Sequence, residues 1–240
     1  MSVRLPRFLF LVALLLQAAC GGADAPAPPA AAPASPPPAA GPASPEPASG
    51  RPRVVFLGDS LTAGLGLPVE ESYPSLIQAR LDAAGYGYEV INAGVSGDTS
   101  AGGLRRLEWV LDGPAKVLVV ALGGNDGLRG LDPGELRRNL TAIIEAGRQR
   151  GLTVVLAGME APPNFGADYT ARFREVYQDL AREYDLAFIP FLLQGVAGDP
   201  ALNQADGIHP NRRGAEIVAE TVWRALEPVL GAPATETVSR

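Results

Sequence analysis

Four short segments carry residue types that could do chemistry: Gly58-Asp59-Ser60-Leu61, Gly94-Val95-Ser96-Gly97-Asp98-Thr99, Gly123-Gly124-Asn125-Asp126 and Asp206-Gly207-Ile208-His209-Pro210. His209 is the only histidine of the chain, so histidine-dependent catalysis must run through position 209. Ser60 offers a hydroxyl, which is a poor nucleophile until a general base takes its proton. An imidazole does that near neutral pH and later returns the proton to a leaving group. A carboxylate on the other ring nitrogen fixes the tautomer and stabilises the imidazolium. Asp206 lies three positions before His209, so one short loop, stiffened at its end by Pro210, can deliver both groups. A tetrahedral intermediate also needs donors aimed at its oxyanion. Gly97 can offer a backbone N–H with no side chain in the way, and Asn125 a side-chain N–H. Losing one such donor raises a barrier by about 3–4 kcal/mol. Each segment alone also reads as a glycine- and aspartate-rich turn. Together they supply every part of a hydrolytic site.

Something must hold these segments side by side. From Arg53 the chain alternates between strand-like and helix-like patterns. Arg53–Gly58, Tyr88–Ala93, Lys116–Leu122, Thr153–Ala157 and Leu186–Pro190 read as strands, the third and fourth continuously apolar, as in a parallel sheet buried on both faces. Between and after them, Pro74–Ala84, Ala101–Leu111, Pro133–Gln149, Ala167–Tyr184 and Arg212–Leu230 carry apolar residues at helical spacing. That alternation predicts a doubly wound α/β domain: a flavodoxin-like three-layer α/β/α sandwich around a five-stranded parallel sheet. In such sheets function sits beyond the carboxyl ends of the strands. The first three segments follow the first three strands, and the fourth follows the fifth strand after a longer connection.

The four segments, in this order, resemble the four blocks of the SGNH hydrolases, also called GDSL esterases and lipases: GDSL at 58–61, GVSGDT at 94–99, GGND at 123–126 and DGIHP at 206–210. The resemblance extends over about Arg53 to Leu230. It implies Ser60 as nucleophile, Asp206 and His209 as the rest of a triad, and an oxyanion hole made by Gly97, Asn125 and the Ser60 N–H. The stretches 96–107, 122–133 and 206–219 look like the periplasmic acyl-CoA thioesterase/lysophospholipase/arylesterase subgroup. In that subgroup the stretch matching Gly127, Leu128, Arg129, Gly130 and Leu131 is a mobile loop over the acyl groove. The implied activity is hydrolysis of acyl esters and thioesters without metal or organic cofactor. The same site on another acceptor would make a deacetylase or acyltransferase of envelope polysaccharide. A non-catalytic lipid- or glycan-binding envelope lipoprotein is disfavoured by the intact Ser, Gly, Asn and His set.

Other motifs fail. Gly94-x-Ser96 lacks the glycine at 98 that a G-x-S-x-G elbow needs. Gly64-x-Gly66 lacks the glycine at 69 of a dinucleotide fingerprint, and no phosphate loop is present. Asp59, Asp98 and Asp126 read as turn or helix caps in preference to a metal trio. The segment Ala161–Gly166 follows the fourth strand and should border the crevice, which makes Asn164 and Phe165 candidates for contacting substrate. Phe165, Tyr169, Phe173 and Tyr177 recur every four residues. That stripe reads mostly as packing, with Phe165 the best candidate for the pocket.

The chain has 240 residues, 47% of them hydrophobic, and a net charge of −6. With one lysine (Lys116) and scattered arginines it lacks the basic footprint of a nucleic-acid binder. Its one cysteine, Cys20, excludes an internal disulfide framework. Residues 1–20 read as an export signal: Arg4 and Arg7 precede a nine-residue apolar run, Phe8–Leu16, too short to span a membrane. Leu16-Gln17-Ala18-Ala19-Cys20 resembles a bacterial lipobox, although Gln17 stands where an aliphatic residue is usual. The resemblance implies lipidation at Cys20 and attachment to a membrane facing the periplasm. Residues 21–52 hold eleven of the 23 prolines and read as a disordered tether. Residues 53–230 then form the hydrolase domain, and 231–240 a flexible tail. No apolar stripe is left over for a second copy, so a monomer is expected.

Overall fold

The computed structural model describes residues 50–233. The export signal, Cys20, nearly all of the tether and the last seven residues lie outside the described residues.

Five parallel strands form one sheet: β1 (Arg53–Gly58), β2 (Glu89–Gly94), β3 (Ala115–Ala121), β4 (Thr153–Ala157) and β5 (Ala187–Ile189), in the order β2-β1-β3-β4-β5. This is the doubly wound flavodoxin-like order, whose switch point lies between β1 and β3. All six residues of β1 are buried; so are Val117–Ala121 of β3 and Val154–Ala157 of β4, which is why the third and fourth segments read as unbroken apolar runs.

Five long helices cover the faces: α2 (Tyr73–Ala83), α3 (Ser100–Val110), α5 (Pro133–Gln149), α6 (Ala167–Glu183) and α7 (Arg212–Leu226). Packing of α3 on α5 and α5 on α6 makes one layer; α2 and α7 pack together as the other. Local chemistry starts them: Thr99, Asp132 and Asn211 cap α3, α5 and α7 by accepting a backbone N–H of the first turn. The last helix is shorter than its periodicity suggests. It ends at Leu226 and a 3-10 turn, Glu227–Val229, follows. Pro228 has no N–H to continue the ladder.

Two short helices carry no periodicity and were not expected. They are α1 (Ser60–Ala63) and α4 (Gly124–Leu128), each directly after a strand end. Gly58 of β1 pairs with Gly94 of β2 and Ala121 of β3, so the three strands finish level. Three of the four chemistry-bearing segments therefore start from one edge. Close approach there requires glycine: a Cβ on Gly94 would lie 2.2 Å from the Ala63 amide nitrogen, and one on Gly58 1.9 Å from Thr62 Oγ1.

Candidate active site

Ser60 is the first residue of α1, where the chain turns sharply off the buried end of β1. Asp59 caps that helix, its Oδ1 accepting the Leu61 N–H at 3.0 Å. Ser60 Oγ lies 2.9 Å from His209 Nε2, and His209 Nδ1 lies 2.7 Å from Asp206 Oδ2. Ser60 and His209 are 149 positions apart in sequence. The loop carrying His209 is fixed from several sides. Asp206 Oδ1 accepts the N–H groups of both Ile208 and His209 at 3.0 Å. The Gln204 side chain donates to Leu65 O and Pro210 O, tying the loop to the segment just after α1.

Those hydrogen bonds set the electrostatics. The backbone amide of His209 first, then that of Ile208 and the His209 ring, lower the Asp206 pKa to about 2. An ionised carboxylate only accepts, so Nδ1 carries the ring hydrogen that Asp206 receives. In the neutral ring Nε2 is then left as an acceptor for the Ser60 hydroxyl. Asp59 behaves oppositely. Its burial pushes its pKa up to about 6, opposed first by the Leu61 N–H it accepts and then by Coulombic attraction to His209.

Asn125 sits in the first turn of α4 and donates through Nδ2 to Asp98 O at 2.9 Å. A primary amide has a second N–H, which this bond leaves available. Gly97 holds φ at +84°, a backbone state that suits glycine. Among the described residues, the Gly97 and Ser60 N–H groups have no protein acceptor. Arg129 Nη2 donates to Gly97 O at 2.9 Å. Below them Asp126, 2% exposed, accepts from Ser100 N at 2.8 Å and Ser100 Oγ at 2.6 Å, fastening α4 to the start of α3. The three aspartates considered as a metal trio are thus all employed as acceptors: Asp59 as a cap, Asp98 from Arg106 Nε at 2.7 Å, and Asp126 from Ser100.

A cavity of about 470 Å³ opens beside Ser60, Asn125 and His209. Its walls are mostly apolar: Leu61, Leu128, Met159, Ala161, Pro162, Phe191, Leu193, Ala197 and Ile208. Of the seven residues expected to contact substrate, Leu128 alone lines it. In the Gly127–Leu131 stretch, Gly127 and Leu128 are the end of α4. Arg129, Gly130 and Leu131 close it through N–H bonds to Asn125 O, Gly127 O and Asp126 O. Gly127 is buried because a glycine can pack there; a Cβ would lie 3.1 Å from Phe173 Cζ. Asn164 and Phe165 are also outside the cavity wall. They form a 3-10 turn with Pro163 that directs Phe165 against Gly130 and the Tyr169 ring, 5.3 Å away. Phe173 and Tyr177 are core residues, as the packing reading of the stripe holds. Met159, Glu160, Phe191 and Leu193 were missed. The signal that finds them is the rule used for the other loops, since they follow the carboxyl ends of β4 and β5.

Residues 56–217 match the model of the GDSL-like lipase/acylhydrolase family. The chain is 45% identical over 179 residues to esterase TesA of Pseudomonas aeruginosa, covering 74% of this chain and 89% of that protein. It is 34% identical over 178 residues to thioesterase 1/protease 1/lysophospholipase L1 of Escherichia coli, covering 74% and 84%. The crystal structure of AlinE4, an SGNH-hydrolase family esterase, superposes with a TM-score of 0.63 at 44% identity, covering 76% of this chain and 98% of that one. The chain belongs to the GDSL-like lipase/acylhydrolase family and is a serine hydrolase of the esterase type.

Proposed function

We propose that the protein hydrolyses acyl esters and thioesters, such as lysophospholipids, aryl esters and acyl thioesters, through an acyl-Ser60 intermediate. The observation that carries this reading is the Ser60–His209–Asp206 chain, with contacts of 2.9 and 2.7 Å, of which Ser60 and His209 line a cavity with mostly apolar walls. Ser60 Oγ attacks the carbonyl carbon while Nε2 of His209 takes its proton. Asp206 stabilises the imidazolium. The carbonyl oxygen becomes an oxyanion held by the N–H groups of Ser60 and Gly97 and by the Asn125 amide. Collapse breaks the bond to the alcohol or thiol, which leaves with the proton from His209. Water then attacks the acyl-Ser60 ester by the same sequence, His209 acting as base and then acid, and releases the carboxylic acid. No step calls for a metal or organic cofactor.

The apolar wall favours acyl chains longer than acetyl, which sets this reading above a polysaccharide deacetylase. The test is turnover of p-nitrophenyl esters from acetyl to palmitoyl, with mass spectrometry of the quenched enzyme. The expected result is a maximum beyond acetyl and an acyl mass on the Ser60 peptide. Turnover confined to acetyl esters would favour the deacetylase.

The domain organisation belongs to the same proposal. Residues 1–20 export the chain, Cys20 is acylated, 21–52 tether the domain, 53–230 act as a monomer on the periplasmic side of the envelope, and 231–240 form a tail. Supporting it are the charge and apolar pattern of the leader and the placing of the one cysteine. Among the described residues no helix is long and apolar enough to cross a membrane. Metabolic labelling with palmitate should mark the native protein and not Cys20→Ala; equal labelling of both would exclude lipidation at Cys20.

A further inference from the structure

The turn that presents the Gly97 amide is closed into a ring on a single oxygen. The carbonyl of Gly58, the last residue of β1, accepts the Val95 N–H at 3.0 Å and an Arg106 Nη2 hydrogen at 2.8 Å. The same guanidinium donates through Nε to Asp98 Oδ2 at 2.7 Å. From Gly58 O the ring runs through Val95, Ser96, Gly97 and Asp98 and returns through Arg106. Asp98 also receives Asn125 Nδ2 on its backbone carbonyl at 2.9 Å. Both loop donors of the oxyanion hole therefore share one frame with Gly58, which only Asp59 separates from Ser60.

Arg106 suits that task for physical reasons. It lies in the second turn of α3, and helix side chains lean toward the N-terminus, here toward the turn. A planar guanidinium holds two acceptors at a fixed separation, which an ammonium does not. The Arg106 and Asp98 side chains are each 17% exposed. A pair this far from water loses hydration and adds little net stability, so its effect is on geometry. The glycine at the apex of the ring needs such restraint, because nothing in its own side chain limits it.

We propose that Arg106 is a positioning residue of the oxyanion hole, setting the Gly97 and Asn125 donors against Ser60 through Asp98 and the Gly58 carbonyl. This rests on the acyl-Ser60 reading. Displacement of a reacting geometry by about 1 Å can cost on the order of 100-fold in rate. The test compares full-length native protein with Arg106→Lys, Arg106→Ala and Asp98→Asn. Active sites are counted by titration to completion with a fluorophosphonate, and kcat and KM on one p-nitrophenyl ester are expressed per titrated site. The expected result for Arg106→Ala is a kcat lower by roughly 10–100-fold with KM within about threefold of native. Arg106→Lys should fall between, and millimolar guanidinium should restore part of the kcat of Arg106→Ala. A kcat per titrated site within about twofold of native, with the loss confined to melting temperature and titratable fraction, would overturn the proposal. Should Arg106→Ala not fold, Asp98→Asn and Arg106→Lys carry the same comparison. A native protein that neither takes the probe nor turns over ester would overturn the acyl-Ser60 reading, and the proposal with it.

Discussion

At the scale of the residue, two carboxylates that act electrostatically with one imidazole are driven in opposite directions. Asp206, exposed but holding two backbone N–H groups, stays ionised down to a pKa of about 2. It therefore offers His209 a full charge throughout the neutral range. Asp206→Asn should lower kcat by roughly 1,000–10,000-fold, since an amide presents the wrong partner to Nδ1. The comparison belongs on the pH plateau of native activity, because the same substitution removes the charge that stabilises the imidazolium; near-native kcat there would contradict the part given to Asp206. Asp59 is the reverse case. Its carboxyl ionises at 3.8 when unfolded and at about 6 when folded, so between those values the folded state holds a proton that the unfolded state has released. That contribution is fully present below 3.8 and is lost as pH rises through about 6. Asn at 59 keeps an acceptor for the Leu61 cap and carries no charge. Asp59→Asn should match native stability near pH 4 and exceed it by roughly 2–3 kcal/mol at pH 8. Urea unfolding at the two pH values measures this, and an equal difference at both would refute it.

At the scale of the element, the site depends on short helices that begin the moment a strand ends. Gly94 shows the constraint: its missing Cβ would lie 2.2 Å from the Ala63 nitrogen, against backbone that cannot move without shifting α1. Gly94→Ala should therefore displace Ser60. The expected outcome is a fall in kcat per folded molecule larger than the fall in melting temperature suggests, and unchanged kcat in a folded variant would show that α1 yields elsewhere. Periodicity made the strands and long helices legible, and β1, β4 and α5 fall on the expected bounds. The short helices α1 and α4 were not legible, because four or five residues span little more than one turn and show no repeat. The grouping of Ser60, His209 and Asp206 was legible because few residue types could do that work and the chain has one histidine. The cavity wall was only partly so. Whether Ala161-Pro162 or Asn164-Phe165 faces substrate is decided by where the 3-10 turn at Pro163 bends, and by a Gly130 that leaves room for the Phe165 ring.

At the scale of the whole molecule, the sheet order β2-β1-β3-β4-β5 brings three level strand ends to one edge, from which three of the four chemistry-bearing segments start. Behind that edge β1 and the end of β3 are buried. A protein beginning at Gly50 should keep the melting temperature and the kcat on soluble esters of the full chain. A large loss of either would assign the preceding segment a part in the fold. The central claim is that Ser60 is the nucleophile of an esterase, and the most direct measurement is fluorophosphonate labelling of the native protein beside Ser60→Ala, with p-nitrophenyl ester turnover followed in both. The expected result is one label per native chain at Ser60, loss of turnover on labelling, and neither label nor turnover in a Ser60→Ala protein of native melting temperature. Near-native turnover or labelling in Ser60→Ala would contradict it.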